Sequence, residues 1–400
     1  MSADDHDTVL AIAELREQTP GCRHRNHLNN AGAGLMTATT LNAMTDYLHR
    51  EATIGGYEAA DEAGGAIDDT YRALAELLGT GPEHIALFDN STHAWNAACY
   101  SVPLQPGDRI LTGRGEYGSS VLAYLQLAQR TGAEIVVVGD DASGQIDLAE
   151  LADLIDDRTA LIGLTWIPTS GGLVNPAAEV GRLARAADVL YLLDATQAVG
   201  QVPIDVAELG CDLLTGTGRK FLRGPRGTGF LYAGERAIER LDPNVTEIGA
   251  ATWDGDRSFR WHDGAARFGT WEHSYANVIG LGVAVRQALD LGLDRTWRRC
   301  RALGARLRDG LAQLDGVAVH DLGTEQCAIV TAKIAGLDSA AAAQALGRRG
   351  INVSTTVPEH NQFDERRIHP LVRFSPHYYN TEDEADAALD AVSAMATGRP

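Results

Sequence analysis

A chain of 400 residues with 44% apolar and 22% charged side chains is neither disordered nor fibrous, and it is long enough for one large domain and one smaller one. Its formal net charge of −20 repels nucleic acid and anionic membrane surfaces, so neither is expected as a partner. Five scattered cysteines without C-x-x-C spacing argue against a disulfide framework or a zinc site and suit a reducing cytoplasm.

In chain order, the acidic stretch Met1 to Thr19 lacks the apolar core of a signal peptide, and no run reaches the roughly 18 apolar residues of a membrane span. From about residue 66, helical periods alternate with short apolar runs, the signature of an α/β domain with a mostly parallel sheet. The pattern predicts strands at His84 to Phe88, Arg109 to Thr112, Glu134 to Val138, Ala160 to Thr165, Val189 to Asp194, Cys211 to Thr215 and Gly229 to Tyr232. Helices are predicted between them at Ser91 to Tyr100, Gly118 to Thr131, Leu148 to Ile155 and Ala177 to Ala187. From Asn277 a long helix begins, followed by a helix over Asp294 to Leu314 and strands at Val317 to His320, Ala328 to Ile334 and Leu371 to Phe374. Helices at Ser339 to Arg349 and Glu382 to Thr397 complete a smaller α+β domain. The expected division is a large domain over 21–276 and a small one formed by 1–20 and 277–400.

Only two lysines occur, Lys220 and Lys333, against 32 arginines. A lysine can lose its proton near neutrality and attack a carbonyl, which an arginine cannot. Lys220 sits in a Gly-rich, Arg-flanked segment, Thr217-Gly218-Arg219-Lys220-Phe221, that fits neither a P-loop nor a dinucleotide fingerprint. Lys333 lies on a predicted strand with no such neighbours. In an open parallel sheet, ligands gather at the carboxyl ends of the strands. Three further groups fall there. Asn90-Ser91-Thr92 opens a helix and reads either as a phosphate cradle or as plain N-capping. Glu116-Tyr117-Gly118 follows a strand, and Asp194 ends one, where it reads either as a partner for a protonated ring nitrogen or as a cap.

Taken in order, this constellation resembles the fold-type I pyridoxal-phosphate enzymes, and more closely the class V aminotransferase group with its cysteine desulfurases, C–S lyases and isopenicillin-epimerase-like members. The resemblance runs from about His27 to about Ala391 and implies pyridoxal 5'-phosphate as cofactor. It makes Lys220 the Schiff-base lysine, Asp194 the pyridinium partner and Gln197 a donor to the ring hydroxyl. Ser91, Thr92, Thr217 and Arg219 fall near the phosphate. Tyr117 stands where the group usually has a stacking histidine. Arg373, in Val372-Arg373-Phe374-Ser375-Pro376-His377, is the expected clamp for the substrate α-carboxylate, with Thr169 and Asn30 as further substrate contacts. Phe268-Gly269-Thr270-Trp271 resembles the segment that reaches into a neighbouring subunit, which implies a homodimer with composite sites in which Thr270 touches the partner's phosphate.

Cysteine desulfurases of this group carry a persulfide-forming cysteine in the loop before the carboxylate arginine, whereas Ser354 to Leu371 contains none. Gly55-Gly56-Tyr57, Gly115-Glu116-Tyr117-Gly118, Gly224-Pro225-Arg226-Gly227 and Ser375-Pro376-His377 look most like hercynylcysteine sulfoxide lyases. The expectation is thus a C–S lyase that acts on an S-substituted cysteine or cysteine sulfoxide by β-elimination, without a persulfide cysteine. An aminotransferase or amino-acid epimerase is the alternative, and joint retention of Lys220, Asp194 and Arg373 argues against a non-catalytic homologue.

Overall fold

The computed structural model describes residues 10–360, 363–368 and 370–398, so the first half of the acidic N-terminal stretch lies outside it. After a two-residue strand β1 (Asn26–His27), all seven apolar runs of the α/β region form strands: β2 (Ile85–Phe88), β3 (Arg109–Thr112), β4 (Glu134–Val137), β5 (Thr159–Thr165), β6 (Leu190–Asp194), β7 (Leu213–Thr217) and β8 (Gly229–Ala233). They make one sheet in the order β2-β8-β7-β6-β5-β3-β4. The pairs among β3 to β7 are parallel, while β8 is antiparallel to both β7 and β2. Two reversals cancel, so β2 points the same way as β3 to β7. Six strands therefore deliver their carboxyl ends to one edge, where Thr165, Asp194 and Thr215 lie side by side in register and Phe88, Gly229 and Thr217 form a second row.

The strands are apolar on both faces because helices cover both. Leu111, Ile162, Leu193 and Leu214 face one apolar layer, and Ile110, Leu161, Leu192 and Leu213 face the other. β7 starts two residues later than expected and runs through Gly216 and Thr217, because its pairing with Phe230 and Gly229 of β8 continues past the apolar run. The observed helices Ser91–Cys99, Gly118–Thr131, Leu148–Leu154 and Ala177–Ala186 match the predicted ones to within a residue at their ends. Helices Ala38–Ile54, Gly56–Glu62 and Gly64–Leu78, and the hairpin of β9 (Ala251–Trp253) and β10 (Phe259–Trp261), are additions that the periodicity did not announce.

Beyond helix Tyr275–Leu291, the strands β11 (Val317–Val319), β12 (Val330–Ile334), β14 (Ser354–Thr355) and β15 (Val372–Phe374) form an antiparallel sheet in the order β11-β12-β15-β14. It has its own apolar cluster, in which Leu307, Leu311, Val330, Val372, Phe374 and Val392 are buried. The short β13 (Ile351–Asn352) pairs in parallel with β1, which carries the N-terminal segment across to the chain's last third. Helix Glu382–Ala396 is started by a capping box between Thr381 and Glu384. No helix among the described residues is long and apolar enough to cross a membrane.

Candidate active site

The edge where the strands end opens into a cavity of about 630 Å3, counted to its mouth in solvent. Ser91, Thr92, Tyr117, Thr169, Asp194, Gln197, Thr217, Arg219 and Lys220 all line it, although they come from five different connections. Gly229 admits this closeness: a Cβ there would run into the backbone of Asn90 and Ser91 at the start of helix Ser91–Cys99.

Lys220 lies in the turn after β7 and is 7% exposed. Burial, then repulsion from Arg219 and Arg373, lowers its pKa to about 7, with Asp194 pulling the other way. The turn is tied on three sides. Arg223 N–H donates to Lys220 O at 3.0 Å, Gly34 N–H donates to Arg219 O at 2.8 Å, and the His377 ring donates from Nε2 to Phe221 O at 2.7 Å. Arg223 itself adopts a left-handed φ of 60° and is held by Leu35 O, Thr19 Oγ1 and the Tyr378 hydroxyl. A side chain other than glycine rarely takes this conformation unless its surroundings fix it.

Asp194 Oδ1 accepts from Thr196 N–H at 2.8 Å. Burial raises its pKa, and the hydroxyl and N–H of Thr196 counter that. Gln197 donates from Nε2 to Thr169 Oγ1 at 3.0 Å and Ala31 O at 3.2 Å, while its Oε1 is buried and unpartnered among the described residues. Asn90 is the N-cap of helix Ser91–Cys99, accepting from His93 N–H at 2.8 Å. The capping and cradle readings thus fall on different residues: Asn90 caps, while Ser91 turns inward and shares a 2.6 Å hydrogen bond with Thr196. Thr217 donates to Thr228 O at 2.9 Å. Arg219 donates to Gly32 O across the cavity wall and is partly buried.

These groups fit pyridoxal phosphate. A helix start with hydroxyls and a neighbouring arginine suits a phosphate, a buried carboxylate suits a protonated ring nitrogen, and the open carboxamide of Gln197 suits a ring hydroxyl. A lysine amine that is neutral near physiological pH suits a carbonyl.

Arg373, on β15 of the antiparallel sheet, is 7% exposed and abuts the cavity through Thr169, which lines it. Its Nη1 donates to Thr169 O at 2.9 Å and Thr169 Oγ1 at 2.6 Å, and Nη2 approaches Asn29 Oδ1 at 3.5 Å. Its Nε is buried without a partner, and among the described residues no carboxylate pairs with it. Burial lowers its pKa to about 10. A buried guanidinium with only neutral acceptors is strongly disposed to take an anion from outside the chain.

Two predicted site residues stand apart from the cavity. Asn30 is fully buried and bonds Ser375 O, His27 O and the Tyr379 hydroxyl, so it is Asn29 that approaches the guanidinium. Thr270 lies on the exposed side of a different cavity, shared with Asp89, Glu272 and His273. Lys333 donates to Ser339 Oγ and Pro370 O and serves as a surface tie.

Sequence reasoning missed Glu116 and His360. The Glu116 carboxyl is buried behind Asp194, accepts from Thr165 N–H at 2.7 Å and Thr165 Oγ1 at 2.9 Å, and has its pKa raised to about 8 by burial. Its only signal was an acidic residue just after a strand. His360 meets the Tyr117 ring with centroids 4.9 Å apart, from a loop whose composition carries no signal.

The chain matches the aminotransferase class-V family over residues 26–388. A probable cysteine desulfurase of Methanothermobacter thermautotrophicus is 26% identical over 97% of this chain and 98% of its own length. Among solved structures, the cysteine desulfurase CsdA of Escherichia coli superposes with a TM-score of 0.90 at 22% identity, covering 98% of this chain and 99% of its own. A mutant of C-DES with glycine covalently linked to the PLP cofactor superposes with a TM-score of 0.86 at 23% identity, covering 94% of this chain and 98% of its own. The fold is therefore the fold-type I transferase fold, as expected.

These relatives correct the expected activity. The curated relatives are named cysteine desulfurases or probable cysteine desulfurases, so the reading of a β-eliminating C–S lyase without a persulfide cysteine, drawn from a likeness to hercynylcysteine sulfoxide lyases, is not supported. The missing thiol in 354–371 was too narrow a basis, because one loop constrains the route by which sulfur leaves, not the bond that the site cleaves.

Proposed function

Because the chain belongs to the class-V aminotransferase family of pyridoxal-phosphate enzymes, we propose that it is a desulfurase that takes sulfur from free L-cysteine. The observation that carries this reading is Arg373, a buried guanidinium without an anionic partner among the described residues, one wall away from a near-neutral lysine. A free amino acid supplies what both lack: a carboxylate for the fork of Arg373 and an α-carbon proton for the amine of Lys220. The cofactor, when bound, supplies an electron sink for charge formed at that carbon. Asp194 would keep the proton on the ring nitrogen, and Tyr117 would cover one face of the ring. The names of the relatives direct the choice of cysteine.

The test is the product formed from L-cysteine and dithiothreitol. Sulfur leaves cysteine at the zero-valent level, so two thiols are oxidised to one disulfide while alanine and sulfide appear in equal amounts. Formation of pyruvate and ammonia in place of alanine, or turnover only with a 2-oxo acid, overturns the reading.

The same proposal includes a homodimer. Tyr57, Val245, Ile248, Trp253, Phe259 and Trp271 are exposed apolar side chains, and Thr270 stands among them, away from its own chain's Lys220 cavity. A second copy that covers this surface would bring Thr270 to the neighbouring site. All five cysteines are free, which suits a cytoplasmic setting.

A further inference from the structure

Sulfur chemistry at Cβ needs a group that exchanges a proton with the substrate thiol, because a free thiol has a pKa of about 8.5 and is mostly protonated at neutral pH. Within the cavity the side chains are hydroxyls, carboxamides, Ile167, Tyr117, Trp95, Arg219, Asp194 and Lys220. Asp194 is spent on Thr196 and faces the ring position, and Lys220 is committed to the α-carbon. The turn Pro358–His360 brings an imidazole against Tyr117, which lines the cavity. It rests on the start of helix Gly118–Thr131, where Gly118 leaves the space: a Cβ there would stand 2.6 Å from Glu359 O. The imidazole then packs on the Tyr117 ring, within electrostatic reach of Arg373 and Lys220. It is partly exposed, and neither ring nitrogen has a hydrogen-bond partner among the described residues.

We propose that His360 is the proton acceptor for the thiol of bound cysteine: an imidazole nitrogen takes the S–H proton, leaving a thiolate on Cβ and an imidazolium on His360. This rests on the desulfurase reading above. The groups that face the ring are Tyr117 from the helix start, Arg373 from β15, Lys220 from the turn after β7 and Glu359 on its own turn. Burial, then Arg373, lowers the imidazole pKa and Glu359 opposes this, so the ring is neutral at physiological pH and able to accept. The cations of Arg373 and Arg219 favour the thiolate that results.

His360→Asn and His360→Gln, in the cofactor-loaded full chain, test this against wild type with L-cysteine and with β-chloro-L-alanine, whose leaving group has no proton to give. Support is a fall in kcat for cysteine of roughly 100-fold, a tenfold or smaller fall for chloroalanine, an unchanged visible cofactor band, and loss of the acidic limb from the pH–rate profile. Equal losses on the two substrates, or cysteine turnover within threefold of wild type, overturn the proposal for His360. Absence of alanine formation by wild type instead overturns the desulfurase reading, so the two failures are distinguishable.

Discussion

Lys220 and Arg373 are both cations held where a charge is costly, and the two costs differ in their dependence on pH. The folded pKa of Lys220 lies near 7, well below its ordinary 10.5, so between these values the unfolded chain binds more protons than the folded one. Stability of the cofactor-free protein therefore rises with pH across that window, and the penalty is present in full below about pH 7. Lys220→Met is expected to raise the denaturation midpoint of the cofactor-free protein at pH 7, with an advantage that shrinks as pH approaches 10; urea titrations at several pH values measure it. The same variant loses the visible cofactor band. Arg373, with a pKa of about 10, is charged at neutral pH, so Arg373→Lys tested there probes geometry instead of charge. A lysine cannot reproduce the fork, and kcat/KM for cysteine is expected to fall roughly 10- to 100-fold while the cofactor band stays. Both residues were legible in the chain, Lys220 from its rarity and Arg373 from its segment. Glu116 and His360 were not, because their significance comes from Asp194, Thr165 and Tyr117, partners that only the folded arrangement supplies.

Between elements, the site depends on joints that hold the turn of Lys220 to the strand of Arg373. His377, three residues past β15, is fully buried and must carry its proton on Nε2 to donate to Phe221 O, while Nδ1 accepts from Tyr378 N–H at 2.8 Å. Burial, then Arg223, drives its pKa down to about 3 against an ordinary 6.5. The neutral ring is required in the fold, so its contribution is complete above about pH 6.5 and is lost as pH falls toward 3. His377→Gln keeps a donor and an acceptor but loses the ring. It is expected to be roughly 1–3 kcal/mol less stable at neutral pH and to show a flatter decline from pH 6.5 to 3, measured by chemical denaturation. At this scale the periodicity served well where strands are short apolar runs between breakers, as in β2 to β8. It failed for helix Ala38–Ile54, in which only Thr40 and Tyr47 are buried and no apolar stripe stands out, and for the β9–β10 hairpin, whose aromatics are largely exposed.

For the whole molecule, Thr270 and Lys220 of one chain line different cavities, and the proposed dimer makes them parts of one site built from two chains. The surface that would be covered is apolar although the chain as a whole carries −20, so association has to be driven by burial against long-range repulsion, and moderate salt should strengthen it. Sedimentation at rising protein concentration is expected to give twice the 42.7 kDa chain mass, and Trp271→Glu to give the single chain. Subunit mixing tests the composite site directly. Lys220→Ala and Thr270→Trp are each expected to be inactive as homodimers, the first without its amine and the second with a bulky ring at the neighbour's phosphate. In a heterodimer of the two, one site combines the intact Lys220 of one chain with the intact Thr270 of the other, and the second site carries both changes. Co-expression in equal amounts should therefore restore about a quarter of the wild-type sites, since half of the dimers are mixed and each has one whole site. If Thr270 acted only within its own chain, no mixture could be more active than the better of its two components.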